Sequence, residues 1–124
     1  MIDPAVKHYE GSCHCGKVTF QALANFQHIY ECNCSFCEKI GALWSGVARN
    51  NFSLTCGADN LTTYYFTPRR LYNQYFCKTC GVLVYGDNNR TKSADIDNVD
   101  INMRCLKNFD ITKQSIEKFD GRSL

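Results

Sequence analysis

Apolar and polar positions alternate over short stretches divided by turn residues, and this pattern predicts strands almost throughout. From Lys17 to Ala22, Val18, Phe20 and Ala22 share one face while Lys17, Thr19 and Gln21 share the other, which is the period of a half-buried strand. Ile29 to Glu31 is a short extended lead. Glu38 to Leu43 predicts a turn of helix or a bend, and the chain then extends through Trp44 to Val47. Phe52 to Thr55 is a further strand and Gly57-Ala58-Asp59-Asn60 a turn. Leu61 to Thr67 is β-branched and aromatic and stops at Pro68; Leu71 to Phe76 returns, with Pro68-Arg69-Arg70 as the reversal. Val82 to Tyr85 and Val99 to Arg104 predict two more strands around a polar loop from Gly86 to Asn98. Met1 to Glu10 reads as a loose leader, and Ile111 to Phe119 as one or two helical turns. Many short strands and hardly a helix predict a mainly β, antiparallel domain. At 124 residues the chain suits a single domain, residues 1–124, with a modest core that gains from metal staples.

The nine cysteines change the picture most. An odd count cannot pair off completely, and most of them stand in C-x-C or C-x-x-C spacings that suit a metal better than a disulfide. Such usage predicts a reducing compartment, most simply the cytoplasm. Cys13 and Cys15 make one half-site, and Cys77 and Cys80, followed by Gly81, make another. An ion shared between them closes a tetrahedral, structural site that ties the start of the domain to its end. Gly11 and Gly16 let the backbone turn around it.

Glu31-Cys32-Asn33-Cys34-Ser35-Phe36-Cys37 is a second knuckle, with three thiols in C-x-C-x-x-C spacing. A Cys32–Cys34 disulfide is badly strained at that spacing, whereas a tight turn can point three sulfurs at one soft cation. Three ligands leave a tetrahedral ion one position short, the mark of a working zinc. The alternative is a remote residue that closes the site. Cys56 and Cys105, without ligand neighbours, read as small buried hydrophobes. His14 is expected to face away from the sulfurs of its own knuckle, and His8 and His28 to lie on the surface.

The net charge of +2 gives no reason to expect a nucleic acid. The aromatic and basic run from Tyr64 to Phe76 reads as a hairpin with arginines at its tip rather than a nucleic-acid platform. Met1-Ile2-Asp3-Pro4 has no basic and apolar leader pattern, and no apolar run approaches the roughly 18 residues of a spanning helix. No Walker loop or G-x-G-x-x-G supports nucleotide chemistry.

Four motifs carry a resemblance: G-S-C-H-C-G-K-V at Gly11 to Val18, C-N-C-S-F-C-E-K-I-G-A-L-W at Cys32 to Trp44, F-C-K-T-C-G at Phe76 to Gly81, and I-N-M-R-C-L at Ile101 to Leu106. In this order, over nearly the whole chain, they resemble the glutathione-dependent formaldehyde-activating family, which includes centromere-protein-V-type members. The resemblance implies a β-tent of stacked antiparallel sheets. It implies a structural zinc on Cys13, Cys15, Cys77 and Cys80 and a catalytic zinc on Cys32, Cys34 and Cys37. It further implies a carbon–sulfur lyase that adds glutathione to formaldehyde, giving an adduct of the S-hydroxymethylglutathione type. A zinc-stabilised binding module without turnover is the alternative. Zinc on three thiolates carries a net negative charge and welcomes a further soft sulfur, so glutathione can dock through its thiol or compete for the ion. The three-thiolate site is expected to be the less fully occupied of the two. Lys39, Arg49, Arg69 and Arg70 are the candidate partners for the carboxylates of glutathione.

Overall fold

The structure, a computed structural model, describes residues 5–66, 72–87 and 98–123. The expected reversal at Pro68-Arg69-Arg70 and most of the expected polar loop lie outside the described residues. Among the described residues, ten strands and one short helix make the chain mainly β, as the alternation predicts. The strands are β1 (Lys7–Ser12), β2 (Thr19–Ala24), β3 (Ile29–Cys32), β4 (Trp44–Ala48), β5 (Phe52–Cys56), β6 (Leu61–Phe66), β7 (Tyr72–Cys77), β8 (Leu83–Asp87), β9 (Asn98–Asn102) and β10 (Ile116–Phe119). Helix α1 spans Ser35–Ile40. No helix among the described residues is long and apolar enough to cross a membrane.

Two sheets result. The smaller has the order β1-β2-β5, and the larger β10-β3-β4-β9-β8-β7-β6. Every pairing is antiparallel except β10 with β3. One core joins the sheets: Phe20 and Ala22 from the smaller, Val47, Tyr85, Val99 and Ile101 from the larger. Phe52 bridges them, 5.4 Å from Phe20 and 4.8 Å from Tyr85 between ring centroids.

Three expectations need correction. The leader is not loose from its start: Lys7–Ser12 forms β1, in register with β2 from Lys7↔Ala24 to Ser12↔Thr19. Tyr9 anchors it, 5.0 Å from the Phe26 ring and 5.8 Å from that of Phe109, a contact whose partners lie far away in sequence. The second strand begins two residues late because Val18 belongs to the preceding turn, where its N–H reaches Cys13 Sγ and its carbonyl accepts from Cys13 N. The tail is not helical beyond one 3-10 turn at Ile111–Lys113; Ile116–Phe119 is the strand β10. Its apolar residues, Ile116 and Phe119, stand three apart and so imitate a helical step, whereas pairing with β3 decides its form.

Candidate metal centres

The first cluster forms where two tight turns meet. Cys13 and Cys15 lie between β1 and β2, Cys77 ends β7, and Cys80 stands in the turn before β8. The turns share one design. Cys13 N donates to Val18 O at 3.0 Å and Cys77 N to Val82 O at 3.1 Å, so each first cysteine closes a loop over the residue five further on. Gly16 and Gly81 take the left-handed conformation, φ 84° and 77°, that such a reversal requires. The four sulfurs lie within 4.8 Å of one another. Cys15 Sγ is 3.7 Å from Cys13 Sγ and 3.6 Å from Cys77 Sγ. A tetrahedron of sulfurs around zinc, with bonds of about 2.3 Å, has an edge of about 3.8 Å.

N–H donors surround these sulfurs. Val18 N donates to Cys13 Sγ at 3.4 Å, while Thr79 N and Asn60 Nδ2 donate to Cys77 Sγ at 3.4 and 3.3 Å. Backbone N–H groups of Cys80 and Thr79 pull Cys77 down to about 6 despite its burial. Cys15 is held up at about 11: the Lys17 N–H favours its thiolate, but desolvation and the neighbouring Cys77, Cys13 and Cys80 outweigh it. Thiols crowded together oppose one another's ionisation, and a divalent cation among them removes that opposition. An all-sulfur donor set at this spacing fits zinc.

The second cluster sits at the other end of the larger sheet's chain path. Cys32 ends β3, Cys34 is the N-cap of α1, and Cys37 lies in its first turn. Their sulfurs also lie within 4.8 Å of one another, and no fourth Cys, His, Asp or Glu joins them among the described residues. Cys34 N donates to Cys32 Sγ at 3.4 Å, and Cys37 N to Cys34 Sγ at 3.3 Å. Helix capping and thiol positioning are therefore the same contact. Burial disfavours the Cys34 thiolate, yet the N–H groups of Cys37 and Phe36 bring its pKa below the usual thiol range. Cys37 is pushed up by burial and by Cys34 and Cys32, with the Trp44 indole N–H acting the other way.

All three sulfurs are inside, their residues only 5, 3 and 8% exposed. Ala42, Trp44 and Leu83 pack directly on them, and Tyr30, Phe36 and Phe76 flank the cluster. Phe36 stacks on the exposed Tyr64 at 5.4 Å and 22°. Trp44 is 3% exposed, and its buried indole N–H is the group that favours the Cys37 thiolate. A buried N–H donor beside three thiols suits a centre that gathers negative charge.

The expected ligands thus come together as two clusters, and other expectations fare unevenly. His8, His14 and His28 are exposed. Cys105 is buried, with its thiol directed at Leu83 O, 3.5 Å away. Cys56 is exposed at the end of β5, so its expected burial is wrong: it is the last residue of the strand, just before the turn that Gly57 begins. Lys39 is exposed on α1, two residues after Cys37 and so on another face of the helix. Arg49 instead donates to Asp87 Oδ2 at 3.2 Å, where Asp87 also accepts from Asn73 Nδ2 at 3.0 Å and from the Tyr75 hydroxyl at 3.2 Å. Arg69 and Arg70 lie outside the described residues.

A strap at the C-terminal end escapes the sequence reading altogether. Arg122 N donates to Asn33 Oδ1 at 2.8 Å, its Nε to Asn33 O at 3.1 Å, and its Nη2 to Glu38 Oε2 at 2.5 Å. Asn33 Nδ2 donates to Asp120 Oδ1 at 3.0 Å, and Asn33 N to Phe119 O at 3.2 Å. Lys118 and Glu31 pair at 2.8 Å. These bonds grip the residue between Cys32 and Cys34 from 86 to 89 positions away. The alternating charges of Glu117-Lys118 and Glu31 are the faint signal for this pairing.

Comparison with known proteins agrees with the geometry. Residues 8–121 match the family described as glutathione-dependent formaldehyde-activating enzyme. The crystal structure of a Rhodobacter sphaeroides protein superposes with a TM-score of 0.74 at 26% identity, covering 89% of this chain and 99% of that one. With the family match spanning both cysteine clusters and nearly all of the chain, this protein belongs to the glutathione-dependent formaldehyde-activating family.

Proposed function

We propose that the protein is a zinc-dependent carbon–sulfur lyase that interconverts glutathione and formaldehyde with an adduct of the S-hydroxymethylglutathione type, and that residues 1–124 act as one zinc-binding unit. The observation that carries this reading is the cluster of Cys32, Cys34 and Cys37: three buried thiols on one centre, without a fourth side-chain ligand among the described residues. Cys13, Cys15, Cys77 and Cys80 supply a full set of four and hold a structural ion, leaving no position for substrate. When bound by three thiolates, zinc offers a soft position that favours a substrate sulfur in its thiolate form.

In the addition direction the thiolate sulfur forms a bond to the aldehyde carbon, the carbonyl π pair moves to oxygen, and a proton lost from the thiol is returned there. Within that chemistry this chain's residues have separate tasks. Cys32, Cys34 and Cys37 hold the ion, with the N–H groups of Cys34 and Cys37 steadying the sulfurs. Trp44, Leu83 and Phe76 keep water away from the reacting pair, and the Trp44 indole N–H supports the Cys37 thiolate. Phe36, stacked on Tyr64, forms a wall on the side open to substrate. Nine free thiols suit a reducing compartment, in keeping with a cytoplasmic enzyme.

The test is the rate at which glutathione and formaldehyde equilibrate with their adduct, followed by NMR exchange in the presence of zinc-loaded protein. A rate above the uncatalysed one that disappears in Cys34→Ala supports the lyase. Glutathione binding with no acceleration leaves a binding module instead.

A further inference from the structure

Strand register assembles a second constellation beside the three thiols, on the face of the larger sheet that carries Trp44. Tyr64 pairs with Gln74, Gln74 with Gly86, Gly86 with Asp100, and Asp100 with Gly46. Residues paired directly across neighbouring strands project to the same face, so these five form one transverse row. Two of the five have no side chain, and they flank Asp100 on both sides. A Cβ on Gly46 would lie 3.2 Å from Asp100 Oδ1, and one on Gly86 would lie 2.7 Å from Gln74 Oε1. The carboxylate therefore leans over one glycine and the amide oxygen over the other, and Gly46 is exposed to solvent. Trp44 is two residues before Gly46 on the same face and packs on the three thiols. The row thus lies one side-chain repeat, about 6.6 Å, from the wall of that cluster.

The polar atoms of this row are short of donors. Asp100 has no ion-pair partner among the described residues, and its one donor is the Tyr30 hydroxyl at a long 3.4 Å. Gln74 is 8% exposed, and its Oε1 is buried with no hydrogen-bond partner. Nothing structural is gained by keeping a half-buried carboxylate and an unsatisfied amide oxygen, each laid over a glycine. Such an arrangement suits a ligand that brings several donors and a positive charge.

We propose that Asp100, Gln74 and Tyr30, above the floor of Gly46 and Gly86, form a subsite for a primary ammonium group carried by the thiol substrate. An ammonium presents three donors and accepts none, matching a carboxylate, an amide oxygen and a phenolic oxygen. In glutathione it is the ammonium of the γ-glutamyl end, joined to the thiol by a flexible chain long enough to cross one side-chain repeat. The subsite rests on the lyase reading above, since it takes its distance from the three-thiol centre. It selects thiols that carry an amine over those that carry only carboxylates.

The test compares two ligands on zinc-loaded protein by titration calorimetry: glutathione, and its analogue lacking only the γ-glutamyl amino group. Wild type should bind glutathione about 10-fold more tightly than the analogue, as expected for one charge-assisted contact. Asp100→Asn, which keeps the shape and removes the charge, should lose that preference by weakening glutathione alone. Equal affinity of wild type for the two ligands overturns the subsite and leaves the lyase reading standing; this arm needs no variant to fold. Equal weakening of both ligands in Asp100→Asn overturns it as well. Failure of wild type to bind either thiol overturns the lyase reading and the subsite together.

Discussion

Asp100 illustrates how a single residue can carry function at the expense of stability. Burial raises its carboxyl from 3.8 to about 6, the Tyr30 hydroxyl opposes this weakly, and the Asp87 carboxylate adds to it. Tyr30 and Asp87 act on it directly, and Asn98 and Gln74 are the polar residues that share its row or its glycine floor. Because the folded-state value is the higher one, the protonated form is favoured by folding. Its stabilising contribution is complete below about 3.8 and is lost as pH rises through about 6. Above that pH the buried charge costs on the order of 2–3 kcal/mol. Asp100→Asn should therefore melt at the same temperature as wild type in acid and several degrees higher at neutral pH, the gap opening between about pH 4 and about pH 6. Thermal melts across that range check this, and a gap independent of pH would show that the residue's charge is not the cause. At this scale the cysteines were legible in the sequence, because metal spacing is local. Asp100, Gln74 and their two glycines were not, since nothing in a linear reading says which residues will be neighbours in a row across four strands.

Among the elements, α1 and β10 act as a pair. The helix has only six residues and is too short to be stable by its own hydrogen bonds. It is held by the Cys34 cap at one end and the left-handed Gly41 at the other, and by the strap that Arg122 draws across Asn33 and Glu38. Exposed ion pairs are worth little singly, but here several bonds act on one turn. Arg122→Ala should lower the melting temperature by no more than a few degrees while cobalt substituted into the three-thiol centre escapes to a chelator about 10-fold faster, the scale of an outer-shell effect. Visible absorption of the cobalt-loaded protein follows both centres at once. Faster loss from the four-thiol centre, or no change at either, would mean that the strap does not serve the knuckle. The central strands could be read from the sequence because their signals are contiguous, whereas the helical turn expected over Glu38 to Leu43 lies earlier, at Ser35–Ile40, because the Cys34 side chain caps it and Gly41 ends it. The strand character of Ile116–Phe119 could not be read: four residues are too few for alternation to show, and its partner is 87 positions away. Likewise β1 is a strand because Tyr9 meets Phe26 and Phe109, not because of its own pattern.

For the molecule as a whole, the proposed function gives the two clusters different tasks. Cys13, Cys15, Cys77 and Cys80 bring turns from both sheets to one point across 62 positions of chain, so an ion there stabilises the assembly as well as the site. Cys80→Ser should lose metal and cooperative folding together, seen as joint loss of one zinc equivalent and of the thermal transition. A variant with full zinc and an unchanged melting temperature would refute the structural assignment. The mainly β architecture followed from alternation and turns, but the order of the seven-stranded sheet did not, because β9 inserts between β4 and β8 and β10 closes the edge beside β3.

The central claim, that Cys32, Cys34 and Cys37 form the site where a thiol substrate binds, is tested most directly by NMR shift mapping of zinc-loaded protein titrated with glutathione, on wild type and on Cys34→Ala. The account predicts shifts concentrated in residues 30–44 of wild type and their absence in Cys34→Ala, with the melting temperature lowered only by the few degrees that loss of a helix cap of about 1 kcal/mol entails. Shifts clustered elsewhere with residues 30–44 silent, or undiminished binding by Cys34→Ala, would contradict it.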